Sequence, residues 1–446
     1  MRYAVTACIV CVLAAPTWAG DDWPQWRGPT LDGVSTCTDL PTEWSESKNI
    51  VWKVPLPSWS AATPIVFGDR VFVTSPSKVG AASAGSAGEQ RGRGGPEHAG
   101  GPDILLLCLR KSDGGLLWER KLDDGNRLYR KQNMASSSPV TDGVHVWALT
   151  GTGVLTAFDV EGNRSWRRDL QEQYGAFGLK FGYASSPLLY ENLVIVQVLH
   201  GTRTGDPSYL LAFDGVSGQV VWHHERRTDA QRECPDAYTT PTISTHSGRS
   251  DLIVSGADYV TGHDPRTGRE IWRAGGLNPD KQGNYRICAS PVPVGDLIIA
   301  PSRVKPILAI RAGGMGDVTD SHFAWKLAKG GPDVPTPVSD GKHVYVVNDS
   351  GLVFCVEVKS GQVVWGPQRT ARGTVSASPL LADGKLYITN ESATTTVLEA
   401  GGEFRVLATN RLDDDHTLAS LATSGKQILL RTSTHLYCIG SPARSE

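Results

Sequence analysis

The sequence predicts an all-β protein, an eight-bladed β-propeller built of four-stranded antiparallel blades. Two repeated patterns carry this prediction. One is a tight turn followed by a tryptophan, as in HDPRTGREIW from His263 to Trp272. The other is a cluster of small residues followed by a proline, and beyond the first interval its copies lie 42 to 54 residues apart, close to the roughly 40 to 50 residues of a propeller blade. These prolines are Pro64, Pro139, Pro187, Pro241, Pro291, Pro337 and Pro379.

Each repeat contains enough apolar sequence for four strands. In the copy over residues 333–370, VPTPVSD predicts a first strand and Asp340–Gly341 a hairpin turn. HVYVVND, LVFCVEV and QVVWGPQ predict the second, third and fourth strands. These runs are too short for helices and are rich in β-branched residues. Because they are almost continuously apolar, we expect each sheet to be covered by neighbours on both faces.

The number of blades follows from the seven proline copies and a degenerate eighth, TLASLAT, where Leu421 stands in place of proline. From His416 to Ile439 this last copy has sequence for only three strands. We expect NIVWKVPLP, which precedes Pro64, to supply the missing outer strand and to close the ring. Closure removes the two free edges of an open array. Seven blades, with the degenerate copy misassigned, is the alternative.

The tryptophan of each repeat is expected to lie between adjacent blades, where its ring buries about 150–250 Å². Ten residues before it, different copies have Ala212, Gly262, Cys108 or Cys355, and Cys438 occupies the same place in the last copy. We interpret these cysteines as small apolar packing residues. The predicted structural blade tryptophans are Trp52, Trp118, Trp166, Trp222, Trp272, Trp325 and Trp365.

The N-terminus has the pattern of a secretory signal peptide over residues 1–19. Arg2 precedes an apolar run from Ala4 to Ala15, and Thr17 and Ala19 stand at the positions of a cleavage site. An uncleaved anchor is the alternative. We therefore expect an exported protein, periplasmic or extracellular, without a membrane span in the mature chain.

The remaining chain is expected to form an N-terminal arm (20–48) and a single propeller domain (49–441). The arm begins with DDWPQWRGP, whose Trp23, Trp26 and Arg27 should fold back onto the ring through aromatic packing. Within the first blade, residues 77–103 are rich in Gly, Ala and Ser and lack a hydrophobic face. That composition predicts a flexible insertion.

Composition limits the possible functions. The formal net charge of −2 at pH 7 gives no basic footprint for nucleic acid. Six of the eight cysteines follow the signal segment, and their spacing does not indicate a disulfide framework. The pairing of Cys37, Cys234 and Cys288 stays open, with a bond between the last two as one alternative.

The turn from Gly262 to Trp272, GHDPRTGREIW, resembles the tryptophan-docking motif of the quinoprotein dehydrogenases, eight-bladed enzymes that use pyrroloquinoline quinone (PQQ). In that motif an acidic residue, a Thr-Gly pair and a tryptophan join blade to blade. The full order stands only at Asp264–Trp272, and Trp222 follows Ser217 instead of threonine. The resemblance covers nearly the whole mature chain and implies the fold, while it leaves the chemistry open.

Two further resemblances bear on function. DDWPQWRGP is similar to the start of exported PQQ-like propellers of planctomycete-type bacteria, many of which have no assigned activity. The repeats are also similar to those of the propeller scaffold lipoprotein of outer-membrane protein assembly, which implies a non-catalytic scaffold. This chain has no evident lipid-attachment cysteine, so that role would require a different tether.

The resemblance to the dehydrogenases implies a Ca²⁺ ion held by Glu, Asn and Asp oxygens beside the quinone, a catalytic Asp, and usually a disulfide between adjacent cysteines. The sequence has no Cys-Cys pair and no C-x-x-C-H haem motif. It also has no G-x-S-x-G, H-E-x-x-H or P-loop motif. We therefore predict no catalytic residue, no metal ligand and no cofactor, with PQQ and Ca²⁺ as the alternative.

Candidate binding residues are those expected at the channel mouth, just before each innermost strand. Mixed charge with aromatic rings suits the capture of a ligand or peptide, and solvated loop residues are the alternative. Asp236, Arg286 and His416 are expected to converge there from different blades. Asp413–Asp415 could hold a cation, although consecutive acids more often form a turn. The candidates are Trp59, Asn133, Lys180, Tyr183, Asp236, Tyr238, Tyr285, Arg286, Asp415 and His416.

Three functions fit these observations. The first is an exported, non-catalytic propeller that acts as a protein- or ligand-binding scaffold in the cell envelope. Its partner would be an envelope or extracellular protein or a small ligand, and the chain itself would be a monomer. The second is a PQQ-dependent oxidoreductase of alcohols or sugars with a Ca²⁺-assisted quinone in the channel. The third is a small-molecule or glycan-binding module.

Overall fold

Eight four-stranded antiparallel sheets stand in a ring in the computed structural model, which describes residues 21–79, 98–413 and 416–441. The predicted eight-bladed β-propeller is therefore confirmed. The predicted signal peptide, the centre of the predicted insertion at 77–103 and the candidate Asp415 lie outside the described residues.

Blades are numbered in chain order, and the strands of each blade are numbered from the channel outward. Blades 1 and 2 contain Ile65–Phe67, Arg70–Pro76, Ile104–Arg110 and Leu116–Asp123, then Val140–Thr141, His145–Leu149, Val154–Asp159 and Arg164–Asp169. Blades 3 and 4 contain Leu188–Tyr190, Leu193–Val198, Tyr209–Asp214 and Val220–Glu225, then Thr242–His246, Arg249–Gly256, Tyr259–His263 and Glu270–Ala274. Blades 5 and 6 contain Val292–Val294, Leu297–Pro301, Ile307–Arg311 and Phe323–Leu327, then Val338–Ser339, His343–Val347, Leu352–Glu357 and Val363–Arg369. Blades 7 and 8 contain Leu380–Ala382, Lys385–Thr389, Thr394–Glu399 and Val406–Arg411, then Ala422–Ser424, Gln427–Arg431, His435–Ile439 and Ile50–Pro55.

A few short elements lie outside this plan. Two pair in parallel with a blade, Val34–Ser35 with the first strand of blade 7 and Gly316–Asp317 with the fourth strand of blade 4. A short helix, Leu170–Tyr174, follows blade 2. A small hairpin of Leu128–Tyr129 and Gln132–Asn133 lies between blades 1 and 2.

The fourth strand of blade 8 comes from the beginning of the chain. Ile50–Pro55 runs antiparallel to His435–Ile439, and Trp52 lies opposite Cys438. Both ends of the propeller sequence therefore share one sheet.

Burial falls from the inner strands to the outer one. Every residue of Leu193–Val198 is buried, whereas Val220–Glu225 in the same blade buries only Trp222. Blades radiate from the channel, so their faces diverge towards the rim and the fourth strand meets solvent. The expected cover on both faces is thus found for the inner strands, and the outer strand contributes its tryptophan.

The blade tryptophans join neighbouring blades by hydrogen bonds as well as by packing. In six of the seven, the indole N–H donates to a backbone carbonyl in the turn between the third and fourth strands of the next blade. The pairs are Trp52 with Lys111 (2.8 Å), Trp118 with Val160 (2.9 Å), Trp166 with Gly215 (2.9 Å), Trp222 with Pro265 (3.0 Å), Trp325 with Val358 (2.7 Å) and Trp365 with Gly401 (3.0 Å). A turn followed by a tryptophan recurs because one blade supplies the indole of this contact and the turn of the next blade supplies the carbonyl.

Glycine is required in that turn because the preceding blade's indole lies against it. Gly268 has φ of +73°, and a Cβ there would come within 2.4 Å of Trp222. Gly218 has φ of +66°, and a Cβ there would come within 2.5 Å of Trp166. Both the left-handed backbone and the close approach exclude a larger residue.

Small side chains face the tryptophans from the neighbouring third strand. Cys108 pairs with Trp118 and Cys355 with Trp365 in the strand register, and both thiols are fully buried. Burial raises the pKa of Cys108 to about 11 and that of Cys355 to about 12. These cysteines therefore serve as small apolar packing residues.

Trp272, which completes the most regular copy of the motif, makes a different contact. Its indole N–H donates to Asp251 Oδ2 of its own blade at 2.8 Å. The corresponding turn of blade 5 is longer and lays Gly316–Asp317 along the outer strand of blade 4 instead. The inserted strand thus takes the place of the usual carbonyl partner.

His263 is buried between blades 3 and 4, with Gly268 O 3.1 Å from its Nδ1 and Thr261 Oγ1 2.9 Å from its Nε2. Burial and the positive charge of Arg226 lower its pKa to about 3. An unfolded chain has a histidine pKa of about 6.5 and so binds the proton first as pH falls. We therefore expect the free energy of unfolding to decrease between about pH 6.5 and 3, by up to about 1.4 kcal/mol per pH unit from this residue.

Urea unfolding at a series of pH values, on the wild type and on His263→Gln, measures this dependence. The free energy of unfolding of His263→Gln should decrease less steeply as the pH falls, because glutamine does not titrate. His223→Gln, on the exposed face of a fourth strand, is the matched control and should keep the wild-type slope. Equal slopes in wild type and His263→Gln would contradict the assignment.

Candidate functional site

A ring of hydroxyl groups surrounds the channel immediately before the prolines. The residue preceding each proline is Ser or Thr, and its backbone N–H donates to the corresponding hydroxyl of the next blade at 2.9 to 3.1 Å. Seven such bonds link successive blades from blade 1 to blade 8. We call the seven acceptors the hydroxyl collar: Ser138, Ser186, Thr240, Ser290, Thr336, Ser378 and Ser420.

The collar has a local cause in the sequence. Proline has no N–H, so it suits the innermost strand, whose inner edge has no partner strand. It also holds the preceding residue in an extended conformation. In that conformation each backbone N–H reaches the hydroxyl of the adjacent blade, and each collar hydroxyl accepts one bond while keeping its own hydrogen.

The N-terminal arm lies across one end of the channel, which we call the floor. It contacts the first strands of blades 1, 2 and 3 in turn. The contacts join Trp23 N and O with Val66 O and N (2.9 and 2.8 Å), Pro24 O with Thr141 N (2.9 Å), and Gln25 Oε1 with Leu189 N (3.0 Å). Backbone and side-chain bonds thus add to the aromatic packing expected from the sequence.

Arg27 anchors the arm on the opposite side of the ring. Its guanidinium donates to the carbonyls of Pro379 (3.0 Å), Thr336 (3.4 Å) and Pro337, and to that of Asp32 within the arm. Complete burial lowers its pKa to about 10, so the group is still a cation at neutral pH. One side chain thereby binds the arm to blades 6 and 7.

A cavity of about 500 Å³ occupies the channel above the arm. Trp26 of the arm and the whole hydroxyl collar line it. Its other end is lined by loops that connect successive blades and by loops between the second and third strands of a blade, and we call this end the mouth. The lining residues of the mouth include Tyr129, Arg130, Lys131, Phe181, Tyr238, Arg286, Val304, Asp333, Asp349 and Leu418.

Charged side chains of both signs meet at the mouth. Asp333 lies between two arginines, with Arg286 Nη2 3.6 Å from its Oδ2 and Arg303 Nε 3.7 Å from its Oδ1. Asp349 Oδ2 accepts the backbone N–H of Asp333 at 2.6 Å. Burial raises the pKa of Asp349, so this carboxyl gives up its negative charge more readily than an exposed one.

The hairpin 128–133 crosses the mouth. On one side, Gln132 donates to the carbonyls of Phe181 and Gly182 in the loop between blades 2 and 3. On the other side, Lys131 Nζ lies 2.7 Å from Glu391 Oε1 of blade 7. Its tip residue Arg130 has φ of +54°, a conformation unusual for a residue other than glycine. The hairpin is therefore held at both ends over the cavity.

Two of the ten candidate residues from the sequence, Tyr238 and Arg286, line the cavity. Lys180 lies beside it, with Nζ 5.4 Å from the centre of the Phe181 ring and paired with Glu233. Of the three residues expected to converge, only Arg286 is part of the cavity wall. Asp415 lies outside the described residues.

The other candidates make contacts within the loops. Asp236 is fully buried and accepts the backbone N–H groups of Lys180 (2.8 Å) and Thr202 (3.0 Å). Four other candidate side chains donate to backbone carbonyls: Trp59 to His98, Asn133 to Trp59, Tyr183 to Gln197 and Tyr285 to Lys305. The backbone carbonyl of His416 accepts the N–H of Ser433. These side chains and backbones shape the loops that carry the mouth.

Several cavity residues were not identified from the sequence. For the collar a signal exists, since Ser or Thr precedes every repeat proline. The hairpin tip Arg130–Lys131 has no glycine or asparagine to mark the turn. No local pattern identifies Phe181, Asp333 or Asp349, because single residues on separate loops form the site.

The channel residues that the structure describes do not fit a Ca²⁺-assisted quinone. Among the described residues, Asp333 and Asp349 are the carboxylates that line the cavity, and two arginines flank Asp333, which disfavours a second cation there. Within the described residues, the one group of three or more potential ligands close enough to share a metal ion is His224, His263 and Glu270. It lies between blades 3 and 4, and Glu270 Oε1 is already 2.6 Å from Arg273 Nε.

The six described cysteines are free thiols, including Cys37, Cys234 and Cys288, whose pairing the sequence leaves open. Cys288 alone among these six is not fully buried, and it lines the cavity. Desolvation raises its pKa to about 12. Cys288 is therefore a thiol in the channel wall that a ligand in the cavity would cover.

Comparison with known proteins gives one family and a common fold. The family model described as outer membrane protein assembly factor BamB matches residues 103–366 and 256–419. No curated protein matches the sequence. Within the described residues, no helix combines the length and apolarity that a membrane crossing needs.

Similar solved structures include BamB and an alcohol dehydrogenase. BamB from Moraxella catarrhalis shares 13% identity over 89% of this chain and 98% of its own, with a TM-score of 0.58. Quinohemoprotein alcohol dehydrogenase from Comamonas testosteroni shares 10% identity over 96% of this chain and 82% of its own, with a TM-score of 0.64. The computationally designed protein Ika8 shares 11% identity over 88% and 100%, with a TM-score of 0.57. At these identities the likeness concerns the fold alone.

Proposed function

Since this chain belongs to the PQQ-like propeller family described as outer membrane protein assembly factor BamB, we propose that it is a non-catalytic binding protein of the cell envelope. It takes its ligand or partner at the mouth of the central channel. The signal-peptide pattern at residues 1–19 supports export to the periplasm or the cell exterior. The protein acts as a monomer.

The observation that carries this proposal is the shape and lining of the cavity. Trp26 lies at its floor, a ring of hydroxyls forms its wall, and aromatic and charged side chains surround its mouth. Binding sites combine an apolar body with a few placed polar groups in this way. The donor set in the channel disfavours Ca²⁺ and so favours binding over quinone-dependent oxidation.

Site-specific photo-crosslinking in the cell envelope tests the site of recognition. A photoreactive phenylalanine at Tyr129, in the mouth, should give a discrete adduct with a protein or a small molecule. The matched control places it at Val216, which is exposed in a turn on the opposite face. Adducts at Val216 without adducts at Tyr129 would overturn the proposal.

Titration of the purified mature protein with PQQ and Ca²⁺, together with dye-linked oxidation of simple alcohols and sugars, tests the absence of catalysis. We expect no Ca²⁺-dependent turnover. Saturable binding of PQQ with turnover would make the protein an oxidoreductase and contradict the proposal.

A further inference from the structure

Arg286 differs from the other deeply buried arginines of the propeller. Arg226 donates to Thr261, Gly256 and Tyr259, and Arg431 donates to Thr74 and Ser58. The side chain of Arg286 is only 10% exposed, yet its guanidinium makes no hydrogen bond with any described residue. The nearest carboxylate oxygen, Asp333 Oδ2, is 3.6 Å away. A buried charge without hydrogen bonds is costly unless something else satisfies it.

The guanidinium of Arg286 lies at the cavity. Its central carbon is 5.0 Å from the centre of the Phe181 ring, and Arg286 itself lines the channel. Arg130 approaches the same ring at 5.5 Å. Two guanidiniums on one ring repel each other, and an anion between them would relieve that repulsion.

The charges that remain after local pairing favour an anion. Lys131 pairs with Glu391 and Lys180 pairs with Glu233. Among the described residues this leaves three guanidiniums, those of Arg130, Arg286 and Arg303, with the two carboxyls Asp333 and Asp349. Burial also raises the pKa of Asp349, which weakens its negative charge.

The hydroxyl collar contributes donors from the channel wall. Each of its seven oxygens accepts a backbone N–H from the preceding blade. Within the described residues, none of these hydroxyls donates to another protein atom. Because a hydroxyl carries one hydrogen besides its lone pairs, the wall presents unused donors, which suit a ligand rich in acceptor oxygens.

We infer that the channel binds a small anionic ligand, a carboxylate or phosphate on an oxygen-rich body, with its charged group on Arg286 below the 128–133 hairpin and its body against the hydroxyl collar. The cavity of about 500 Å³ is within the size of small-molecule sites. Arg286 supplies two parallel donors to a carboxylate or phosphate, and Arg130 closes over it from the hairpin tip. This inference rests on the proposed function, since it names the ligand class for the same cavity.

Isothermal titration with three sugars tests the inference. Glucose 6-phosphate and glucuronate carry the two anionic groups, and glucose is the neutral counterpart. We expect at least one of the anionic sugars to bind with a Kd of about 1 mM or tighter, and glucose to bind at least tenfold more weakly. The preferred anion then distinguishes a phosphate ligand from a carboxylate ligand.

Arg286→Gln should reduce the affinity for the anionic sugar at least tenfold, and Arg286→Lys should restore part of it. Arg269→Gln removes an exposed arginine on the opposite face and should bind as the wild type does. Unchanged binding by Arg286→Gln, equal binding of glucose, or no binding of either anionic sugar would each overturn the inference. The proposed function would then still be tested separately by the photo-crosslinking at Tyr129.

A measurement on the wild-type protein covers the case in which Arg286→Gln does not fold. Alkylation of Cys288 in the cavity wall by a maleimide at alkaline pH should slow down when the anionic sugar is present. Glucose at the same concentration should give no protection. Equal rates with all three sugars would overturn the inference.

Discussion

Arg27→Ala is expected to lower the free energy of unfolding by about 3 kcal/mol or more, since a buried acceptor that loses its donor costs about 1–3 kcal/mol. The carbonyls of Thr336, Pro337 and Pro379 would lose the guanidinium that reaches them across the floor of the channel. The dehydration of the arginine would be relieved at the same time, which keeps the loss below the sum over all acceptors. The midpoint of unfolding in guanidinium chloride measures the change.

Two variants separate charge from geometry at this position. Arg27→Lys keeps the charge but replaces a planar fork of five donors by a single ammonium group, so we expect an intermediate loss. Arg269→Ala removes an exposed arginine and should change stability by less than about 0.5 kcal/mol. A wild-type midpoint for Arg27→Ala would mean that the arm is not anchored by this residue.

Trp222→Ala is expected to cost about 3–5 kcal/mol, the usual range for removing a large buried aromatic side chain. Trp222 is only 7% exposed, its N–H donates to Pro265 at 3.0 Å, and its ring lies against Gly268. The substitution opens a cavity between blades 3 and 4 and leaves the carbonyl of Pro265 without its donor. Chemical unfolding, monitored by far-UV circular dichroism instead of tryptophan fluorescence, measures the loss of stability.

Trp222→Phe should cost less than the alanine variant, because it keeps most of the apolar contact and loses the hydrogen bond. Val220→Ala, two positions earlier on the same strand and exposed, is the matched control and should stay within about 0.5 kcal/mol of the wild type. If Trp222→Ala and Val220→Ala had similar effects, the contact between blades 3 and 4 would not depend on the indole.

These two contacts hold the candidate site in different ways. The tryptophans join the blades near the rim, whereas Arg27 holds the arm beneath the cavity. Loss of Trp222 should therefore loosen the ring as a whole. Loss of Arg27 should disturb the floor first, including Trp26, which lines the cavity.

The repeated contacts of the fold could be predicted from the sequence because the residues that make them recur at the same spacing in most blades. The turn glycine, the tryptophan and the small residue opposite it occur at short, regular intervals, so Gly268, Trp272 and Gly262 already form a recognisable unit. Even the exception has a visible cause, since the longer turn of blade 5 displaces the carbonyl that Trp272 would otherwise reach.

Which side chains face the cavity could not be predicted from the sequence in the same way. Arg286 and Asp236 occupy similar places before an innermost strand, yet one lines the cavity and the other accepts two backbone N–H groups inside a loop. Which way such a side chain points depends on the backbone of its own loop. Asp333 precedes the first strand of blade 6 and Asp349 follows the second strand, and only the folded blade brings them together.

The sequence by itself determined the class of fold, the number of blades, the structural role of the tryptophans and the position of the inner strands. These features follow from local periodicity, which any segment of the chain expresses without reference to the rest. The tertiary structure alone decided the floor, the mouth and the ligand-facing groups. Arg27 binds backbone carbonyls more than 300 residues away, and because every residue has a carbonyl, no side-chain pattern could reveal that contact before the ring had formed.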